Sequence, residues 1–488
     1  MFTTVAAGNS NRIAIVEGEA AVTYGQLEKR ILAFAAQLYD AGVRPGDRVA
    51  MLLPNGSTFI TNYFAALSLG AIVVPLNDQY QETELSRFLK ETGASYIITS
   101  QSFGGLCQEV LRLHETSCRI LFVENHTHAS ASGTSADFRV KTDPDAPVMY
   151  QFSSGSTGRP KRISRTHRNL LFELNSLKQT LELTHEDQFL GVTPFSHVNG
   201  LMRSMMASIR AGATLYPAAK FDRQAVANMI EKHKISVFVG VPFMFGVLAK
   251  TNFPRQPDFS SLRLCISASA PLPAKLNRQF HDRFGLYVRQ LYGSTETGTI
   301  SVDLSANIEK SLESVGHPIA GVHVEVYDET GRPAGINDIG EVAVRSPAAI
   351  ARYDGSDAPN QESFRNGYFF TGDLGRKDEN GLLYLVGRKK LFINKGGYKI
   401  NPREIEELLE SYPKVEEAVV VGLPTSFGDE RLKAMIVLNG SCTEEEIIEH
   451  CRGKIADFKV PSLIEFRERF PKSPTGKIRR ELLASGKV

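Results

Sequence analysis

Tryptophan is absent from this sequence of 488 residues, and cysteine is scarce. The five cysteines are scattered, form no CxxC pair and are odd in number: Cys107, Cys118, Cys265, Cys442 and Cys451. Zinc sites and disulfide frameworks need regular cysteine spacings, so this pattern argues against both. It is typical of a protein from a reducing compartment, and we expect a cytoplasmic location.

The sequence also lacks a charge excess and a long apolar run. Lysine and arginine number 56 against 54 aspartates and glutamates, which leaves a formal net charge of +2. A charge this small gives no reason to expect binding to nucleic acid. No apolar run approaches the roughly 20 residues of a membrane-spanning helix. Residues 1–10 also lack the basic start and apolar core of a secretory signal. We expect neither a membrane span nor a nucleic-acid partner.

Helical and extended patterns alternate over most of the chain, which is longer than one ordinary domain. Apolar residues at helical spacing and short β-branched runs follow one another in segments 27–39, 48–53, 59–69, 72–75, 82–91 and 96–99. Later segments predict helices at 201–209 and 274–284 and strands at 237–241, 264–267 and 286–290. Such alternation predicts βαβ units and a mostly parallel sheet. From Val322, short strands between turn residues predict a small antiparallel part, and residues 402–455 have the pattern of an α+β unit. The predicted fold is α/β, with a large multi-subdomain N-terminal body and a small C-terminal domain.

One segment concentrates hydroxyl groups and glycines immediately before a lysine. Its members are Ser153, Ser154, Gly155, Ser156, Thr157, Gly158 and Lys161. Glycine lets backbone N–H groups turn towards an anion, concave N–H arrays bind phosphate, and lysine adds a point charge. A flexible linker is the alternative, but apolar residues flank the segment on both sides. The Gly-Lys-Ser/Thr ending of the P-loop is missing. The segment therefore predicts a phosphate-binding loop of another kind.

Three further segments combine polar side chains with turn residues. They are Gln290–Gly298 with Tyr292, Thr295 and Glu296, Tyr368–Asp373 at the end of an apolar strand, and Pro194–Gly200 with His197. Taken alone, His197 could be a core histidine and Asp373 could belong to an ordinary turn. Their order along the chain, downstream of the phosphate-binding loop, favours a shared function.

In this order the segments resemble those of the adenylate-forming superfamily, which comprises acyl- and aryl-CoA synthetases, adenylation domains of peptide synthetases and luciferases. The resemblance extends from Thr23-Tyr24-Gly25 to the loop around Lys477 and is greatest to the acyl-CoA synthetases. It implies an acid–thiol ligase that uses ATP and Mg²⁺ to form an acyl-AMP from a carboxylic acid, releases pyrophosphate, and transfers the acyl group to CoA.

The resemblance also implies a role for each nucleotide-binding residue. The loop from Ser153 to Lys161 would hold the β- and γ-phosphates, and Ser269 would lie beside the adenine. Tyr292 would stack on the adenine, while Asp373 would bind the ribose hydroxyls with support from Arg388. Arg162 stands where the family usually has glycine, and we expect it to point to solvent.

The catalytic roles follow from the same resemblance. Thr295 and Glu296 would reach the α-phosphate and hold Mg²⁺, which prefers oxygen ligands. Lys477 would bridge the carboxylate and the α-phosphate, and His197 would lie beside the carboxylate. No protein nucleophile is needed, because the substrate carboxylate attacks.

The resemblance predicts two domains, a body over residues 1–389 and a mobile C-terminal domain over 390–488. In the family the C-terminal domain rotates between the two half-reactions, and Lys390 stands at the position of the hinge. The loop that would meet the thiol contains Gly396, Gly397 and Tyr398.

The acyl pocket is expected to contain His197, Asn199, Arg203 and Leu291. Ser196 occupies the place where amino-acid-activating relatives have an aspartate, so an amino-acid substrate is disfavoured. Burying an arginine is costly unless it is paired, so Arg203 indicates an acid with a second anionic or strongly polar group. The alternative is that Arg203 turns away to a surface carboxylate.

CoA is the expected acceptor, because no carrier-protein domain is fused to the chain. Loading of a carrier-protein phosphopantetheine remains an alternative. A non-catalytic nucleotide-binding protein is disfavoured by the retention of Lys161, Glu296, Asp373 and Lys477, and nothing singles out a luciferase-like oxygenase. The sequence leaves the identity of the acid and the oligomeric state open.

Overall fold

The computed structural model describes residues 1–113, 117–126, 140, 143–153, 161–353, 357–391, 393–395, 398–424, 430–452, 454–455, 459–473 and 478–484. The strands up to residue 318 are β1 (Ile13–Glu17), β2 (Ala20–Thr23), β3 (Arg48–Leu52), β4 (Ile72–Leu76), β5 (Tyr96–Thr99), β6 (Arg119–Phe122), β7 (Pro147–Ser153), β8 (Lys161–Thr166), β9 (Gln188–Gly191), β10 (Thr214–Pro217), β11 (Val237–Gly240), β12 (Leu264–Ser267), β13 (Arg289–Ser294), β14 (Gly298–Val302) and β15 (His317–Pro318). The later strands are β16 (His323–Tyr327), β17 (Gly340–Arg345), β18 (Phe364–Arg365), β19 (Tyr368–Lys377), β20 (Leu383–Arg388), β21 (Ile393–Lys395), β22 (Tyr398–Ile400), β23 (Val415–Pro424), β24 (Glu430–Leu438) and β25 (Leu463–Arg467).

Helices connect most of the early strands. They are α1 (Phe2–Asn9), α2 (Tyr24–Asp40), α3 (Ser57–Ser68), α4 (Glu82–Thr92), α5 (Gly104–Leu113), α6 (His167–Thr180), α7 (Ala207–Ala211), α8 (Arg223–His233), α9 (Pro242–Lys250), α10 (Ala274–Phe284), α11 (Asp357–Ser363), α12 (Pro402–Glu410), α13 (Glu444–Cys451) and α14 (Arg480–Ala484). A π-helix spans Asn199–Met206 and leads directly into α7. Within the described ranges, no helix combines the length and the hydropathy that a membrane span requires.

Two large sheets form the body and confirm the predicted α/β class. One has the strand order β6-β5-β3-β4-β7-β8, and the other has the order β15-β14-β13-β12-β11-β9-β10-β1-β2. Pairs from β3 to β6 and from β9 to β13 are parallel, whereas β7–β8 and β13–β14 are antiparallel. Side chains packed under the second sheet include Phe238, Phe245 and Phe280, each 0% exposed.

The remaining strands form smaller sheets. β16-β17-β19-β18 lie in that order, with β20 paired to β19, and β21 pairs with β22. Strands β23, β24 and β25 form a three-stranded sheet in that order. Ile405 and Leu409 of helix α12 belong to the apolar core that also contains residues of β23 and β24. These parts agree with the expected antiparallel region and α+β unit.

The contacts divide the chain into two compact units. The first unit contains most of the chain before Glu325 and also Val344–Phe369. The second unit contains Glu325–Ala343 and the chain from Phe370 onward. The residues after 390 lie in the second unit, as do residues 370–389, which the predicted boundary assigns to the body. A functional hinge at Lys390 stays a prediction.

Helix α6 illustrates how the sequence sets the local structure around the site. The Thr166 hydroxyl accepts from the Asn169 amide, and the Asn169 side chain accepts from the Thr166 amide, so two N-terminal donors are satisfied. Leu170, Leu174 and Leu177 recur at helical spacing and are buried. This helix carries Glu173 into the core on the same buried face.

Several predicted segments are correct to the residue, and others differ for physical reasons. The strand predicted at 286–290 is observed as β13 at Arg289–Ser294. It continues to Ser294 because its last residues pair antiparallel with β14. The predicted helix at 201–209 begins as a π-helix, a form found often at functional sites. Asp373 was expected in a turn, but it lies within β19 opposite Arg388 on β20.

Candidate active site

The hairpin of β13 and β14 presents the Gln290–Gly298 motif in the first unit. Tyr292 is on β13 opposite Ser301 and is 8% exposed. Thr295 and Glu296 lie in the connection between the strands, and Gly298 begins β14 with φ of 69°. Glycine adopts that left-handed conformation without the penalty of a side chain. One hairpin thus carries Tyr292, which is predicted to stack on the adenine, and Thr295 and Glu296, which are predicted to reach the α-phosphate.

Tyr353 joins this hairpin to the lysine that follows the predicted phosphate-binding loop. Its hydroxyl donates to Glu296 Oε1 at 3.2 Å. Lys161 Nζ lies 4.2 Å from the centre of the same ring, a favourable cation–π geometry. The Glu296 carbonyl also accepts from the Ile350 amide at 2.9 Å. Two motifs more than a hundred residues apart in sequence therefore meet at one aromatic ring.

A buried ion pair lies beneath the hairpin. Arg165 Nη2 donates to Glu173 Oε2 at 2.8 Å, and both side chains are 0% exposed. Arg165 Nη1 donates to the Thr295 carbonyl at 3.3 Å. Glu173 Oε1 accepts from the amide and the hydroxyl of Thr299, each at 2.9 Å. The pair thus binds the connection and strand β14 directly.

Opposing effects act on the Glu173 carboxyl. Burial would raise its pKa, but Arg165 and Arg203 outweigh burial and hold the pKa below its usual value. Glu173 is therefore ionised at neutral pH.

Two glycines allow the hairpin to approach these charged groups. A Cβ at Gly298 would overlap the Glu173 carboxylate, and a Cβ at Gly293 would overlap Arg203 Nη2. The glycines in the motif are therefore required by close packing against the charged side chains as well as by the turn.

Arg203 is 4% exposed, which overturns the alternative that it reaches a surface carboxylate. Nε donates to the Thr299 hydroxyl at 3.0 Å, and Nη1 donates to Asn199 Oδ1 at 3.4 Å. Asn199 is also buried and donates to the Gly240 carbonyl at 3.3 Å. Leu291 is 5% exposed on β13. Asn199 and Arg203, both expected in the acyl pocket, thus lie in contact with each other.

His197 lies in the bend that precedes the π-helix, as expected. Its Nε2 is 3.4 Å from Asn77 Nδ2. Burial lowers the pKa of His197 to about 4, because charging the ring inside the protein is unfavourable. The imidazole is therefore neutral at neutral pH and can lie beside a carboxylate as a hydrogen-bonding group without a charge.

Two other predicted residues have distinctive positions. Ser269 follows β12 with φ of 73°, a conformation that non-glycine residues rarely adopt and that is found preferentially at binding sites. Arg162 makes an exposed contact, in which its Nη1 donates to the Glu91 carbonyl at 3.0 Å, and its guanidinium lies 4.8 Å from the ring centre of Tyr150.

The second unit contains the pair expected to bind ribose. Asp373 Oδ1 accepts from Arg388 Nε at 2.7 Å, and the two residues face each other across β19 and β20. The Asp373 amide donates to the Thr371 hydroxyl at 3.0 Å. The aspartate is 8% exposed. The arginine therefore orients the carboxylate, and its role beside a bound ribose stays a prediction.

Several predicted residues lie outside the described part of the chain. They are Ser154, Gly155, Ser156, Thr157, Gly158, Gly396, Gly397 and Lys477. The backbone of Ser153 lies in β7, that of Lys390 in the short 3₁₀ helix Lys389–Leu391, and that of Tyr398 in β22, but their side chains are outside the description. The roles of these residues stay predictions.

Sequence reasoning missed four residues of this site: Arg165, Glu173, Thr299 and Tyr353. Apolar neighbours at helical spacing place Glu173 on the buried face of α6, which was the one available signal. The other three act through contacts between distant segments, which no local pattern reveals.

Comparison with known proteins gives consistent matches over the whole chain. A family model described as AMP-binding enzyme matches residues 2–353, and one described as AMP-binding enzyme C-terminal domain matches residues 404–477. A feruloyl-CoA synthase from Amycolatopsis sp is 34% identical over 469 residues, which cover 95% of this chain and 94% of the relative. An oxalate–CoA ligase from Arabidopsis thaliana is 30% identical over 488 residues, which cover 97% and 95%.

A solved structure resembles the fold of this chain closely. It is o-succinylbenzoate coenzyme A synthetase from Bacillus subtilis in complex with ATP and magnesium ion. The TM-score is 0.88 at 27% identity, over 99% of this chain and 98% of that chain.

Removing the charge of Glu173 tests the buried ion pair. In Glu173→Gln, two buried arginines lose their counterion, and breaking a buried pair costs about 3–5 kcal/mol. We expect the melting temperature in scanning calorimetry to fall by about 5 °C or more. Glu186→Gln is the matched control, because Glu186 pairs with Arg12 at a side chain 74% exposed and exposed pairs contribute at most about 1 kcal/mol. Equal changes in the two variants would contradict the prediction.

The neutral state of His197 predicts a pH dependence of stability. Its folded pKa of about 4 lies below the ordinary value of 6.5, so between these values the unfolded chain binds a proton that the folded chain does not. Stability is therefore complete above pH 6.5 and falls with acidification, by up to about 2 kcal/mol at pH 5. We expect the melting temperature of His197→Asn to fall less than that of wild type between pH 7 and pH 5. An equal fall in melting temperature in both proteins would show that His197 does not cause the pH dependence.

Proposed function

Because this chain belongs to the family of AMP-binding enzymes, we propose that it is an ATP-dependent acyl-CoA synthetase, an acid–thiol ligase that forms AMP. In the first half-reaction a carboxylate oxygen of the acid attacks the α-phosphorus of ATP, the bond to the bridging oxygen breaks, and pyrophosphate leaves. In the second, the thiol sulfur of CoA attacks the acyl carbon and AMP leaves. The substrate is a carboxylic acid other than an amino acid, since Ser196 supplies no carboxylate for an α-ammonium group.

The contact of Lys161, Tyr353 and Glu296 carries this proposal. Lys161 lies over the ring of Tyr353, and the Glu296 carboxylate accepts a hydrogen bond from the hydroxyl of the same side chain. In phosphoryl transfer the protein mainly positions the groups and neutralises the developing charge. Lys161 stabilises the β- and γ-phosphates, Tyr353 holds the Glu296 carboxylate in place, and Thr295 reaches the α-phosphate.

The residues present fit Mg²⁺. Among the described residues there is no group of three or more His, Cys, Asp or Glu side chains that could hold a metal ion by itself. Mg²⁺ in nucleotide sites is commonly bound by one or two carboxylates together with substrate phosphates. Glu296, with a carboxylate already oriented by Tyr353, and Thr295 would hold the ion. When bound, Mg²⁺ would neutralise part of the negative charge of the phosphates.

The remaining roles follow the order of the motifs. Tyr292 stacks on adenine, Asp373 binds the ribose hydroxyls, and Arg388 orients Asp373. Neutral His197 borders the carboxylate and separates it from the thiol. Relatives named as CoA ligases support CoA as the acceptor, and the carrier-protein phosphopantetheine is the second candidate. A cytoplasmic location remains a prediction.

The direct test is a panel of aliphatic, aryl and dicarboxylic acids in two assays, acid-dependent pyrophosphate release and CoA-dependent AMP release. An acyl-CoA synthetase gives both with the same acid. Pyrophosphate release without any response to CoA would favour a carrier-protein acceptor. The absence of both activities with every acid would overturn the proposal in favour of a non-catalytic nucleotide-binding protein.

Two lysines of the C-terminal region should separate the half-reactions. Lys477→Ala should abolish adenylate formation and retain CoA transfer from supplied acyl-adenylate, because this lysine is proposed to act only in the adenylating conformation. Lys390→Pro is the opposing variant: proline fixes φ near −65°, so adenylation should survive while thioester formation fails. The measurement is each half-reaction in single turnover. Equal loss of both steps in Lys477→Ala, or normal turnover in Lys390→Pro, would contradict domain rotation about Lys390.

A further inference from the structure

Arg203 has a buried hydrogen-bond donor that the fold leaves unused. Nε and Nη1 are bonded to Thr299 and Asn199, but Nη2 has no hydrogen-bond partner among the described residues, although it is buried. A buried donor without a partner is unfavourable, and more so when the group is charged. An enzyme that tolerates this cost in its acyl pocket can recover it when a ligand accepts from the free donor.

The charges around Arg203 do not balance. Arg165 and Arg203 are both buried beside the single carboxylate of Glu173, and His197 is neutral at neutral pH. The network therefore carries one net positive charge. A buried charge without a counterion is strongly unfavourable, so the network favours an anion at the free donor Nη2 of Arg203.

The free donor is directed at the hairpin that activates the acid. Arg203 Nη2 lies against Gly293, next to Tyr292 and close to Leu291 on the same strand. Gly293 is two residues from Thr295, which limits the distance between their Cα atoms to about 7 Å. A short chain is therefore sufficient for an acid activated at Thr295 to reach Arg203.

We infer that Arg203 determines specificity and that the native substrate is a short dicarboxylic acid, whose distal carboxylate accepts from Nη2. The inference rests on the proposed function, since it presumes that an acid is activated at the hairpin. A carboxylate satisfies both the free donor and the net charge, whereas an uncharged polar group satisfies the donor alone. Leu291 is buried on the strand that carries Gly293, and Met202, Met205 and Met206 are buried, adaptable apolar side chains on the same π-helix as Arg203.

The test compares acids of equal shape and different charge by ATP–pyrophosphate exchange. Malonate, succinate and glutarate are each paired with the monocarboxylic acid in which an isopropyl group replaces the distal carboxylate: 3-methylbutanoate, 4-methylpentanoate and 5-methylhexanoate. Wild type should prefer the dicarboxylic member of at least one pair by about tenfold or more in kcat/KM. Preference for the isopropyl acid in every pair would overturn the inference.

Variants then assign the preference to Arg203. Arg203→Met should lower the ratio of dicarboxylic to isopropyl acid at least about tenfold, with the KM for ATP unchanged. Arg203→Lys keeps a charge without the planar fork and should retain the preference at reduced size. Arg210→Met is the matched control, because it makes the same substitution at an arginine on α7 that donates to Asn175 at 2.8 Å, so its ratio of dicarboxylic to isopropyl acid should equal that of wild type.

Each other outcome decides the question. Equal loss with both members of a pair in Arg203→Met, or a raised KM for ATP with an unchanged ratio, would show that the arginine is structural or serves the nucleotide. If Arg203→Met does not fold, the wild-type ratio and Arg203→Lys decide. Activation of apolar acids alone would overturn this inference and leave the acyl-CoA synthetase proposal standing, whereas no exchange with any acid would contradict the proposed function itself.

Discussion

The ion pair between Arg165 and Glu173 is the interaction on which the candidate site depends. One carboxylate, without any exposure to solvent, binds Arg165 on one side and the amide and hydroxyl of Thr299 on the other. The same arginine binds the Thr295 carbonyl. Because a buried carboxylate that loses these partners would be strongly destabilised, the hairpin has little freedom to shift. The positions of Thr295 and Glu296 follow from this constraint.

The network has a second consequence through its charge. A single Arg–Glu pair would be neutral and would serve structure alone. The addition of Arg203, held by Thr299 and Asn199, makes the network positive and leaves one donor without a partner in the described part of the chain. Structure and specificity are thereby linked, because Thr299 contacts both the carboxylate that holds the hairpin and the arginine proposed to bind the distal end of the acid.

Local patterns were sufficient for much of the fold. Strand β5 and helix α10 lie where the alternation of apolar residues predicts them, because burial on one face leaves a clear periodicity. The family and the chemistry could be inferred from ordered motifs around Lys161, Glu296 and Asp373. The extent of β13 and the position of Asp373 within β19 could not, because pairing with a neighbouring strand decides them.

The parts of the site that escaped prediction share one cause. Tyr353 contacts Glu296 and Lys161 across long sequence separations, and Glu173 reaches Thr299 in the same way. A sequence pattern records the burial of such residues but not their partners. For Arg203 the sequence left two orientations open. Burial together with bonds to Thr299 and Asn199 excludes the orientation towards a surface carboxylate, and its place in the acyl pocket stays a prediction.

Hydrogen–deuterium exchange of the hairpin in Glu173→Gln tests most directly whether the buried ion pair fixes the site. The account predicts that amides over β13 and β14 exchange at least about tenfold faster than in wild type, while those of β5 in the six-stranded sheet keep their wild-type rates. Unchanged exchange in the hairpin, or an equal acceleration in β5, would contradict it.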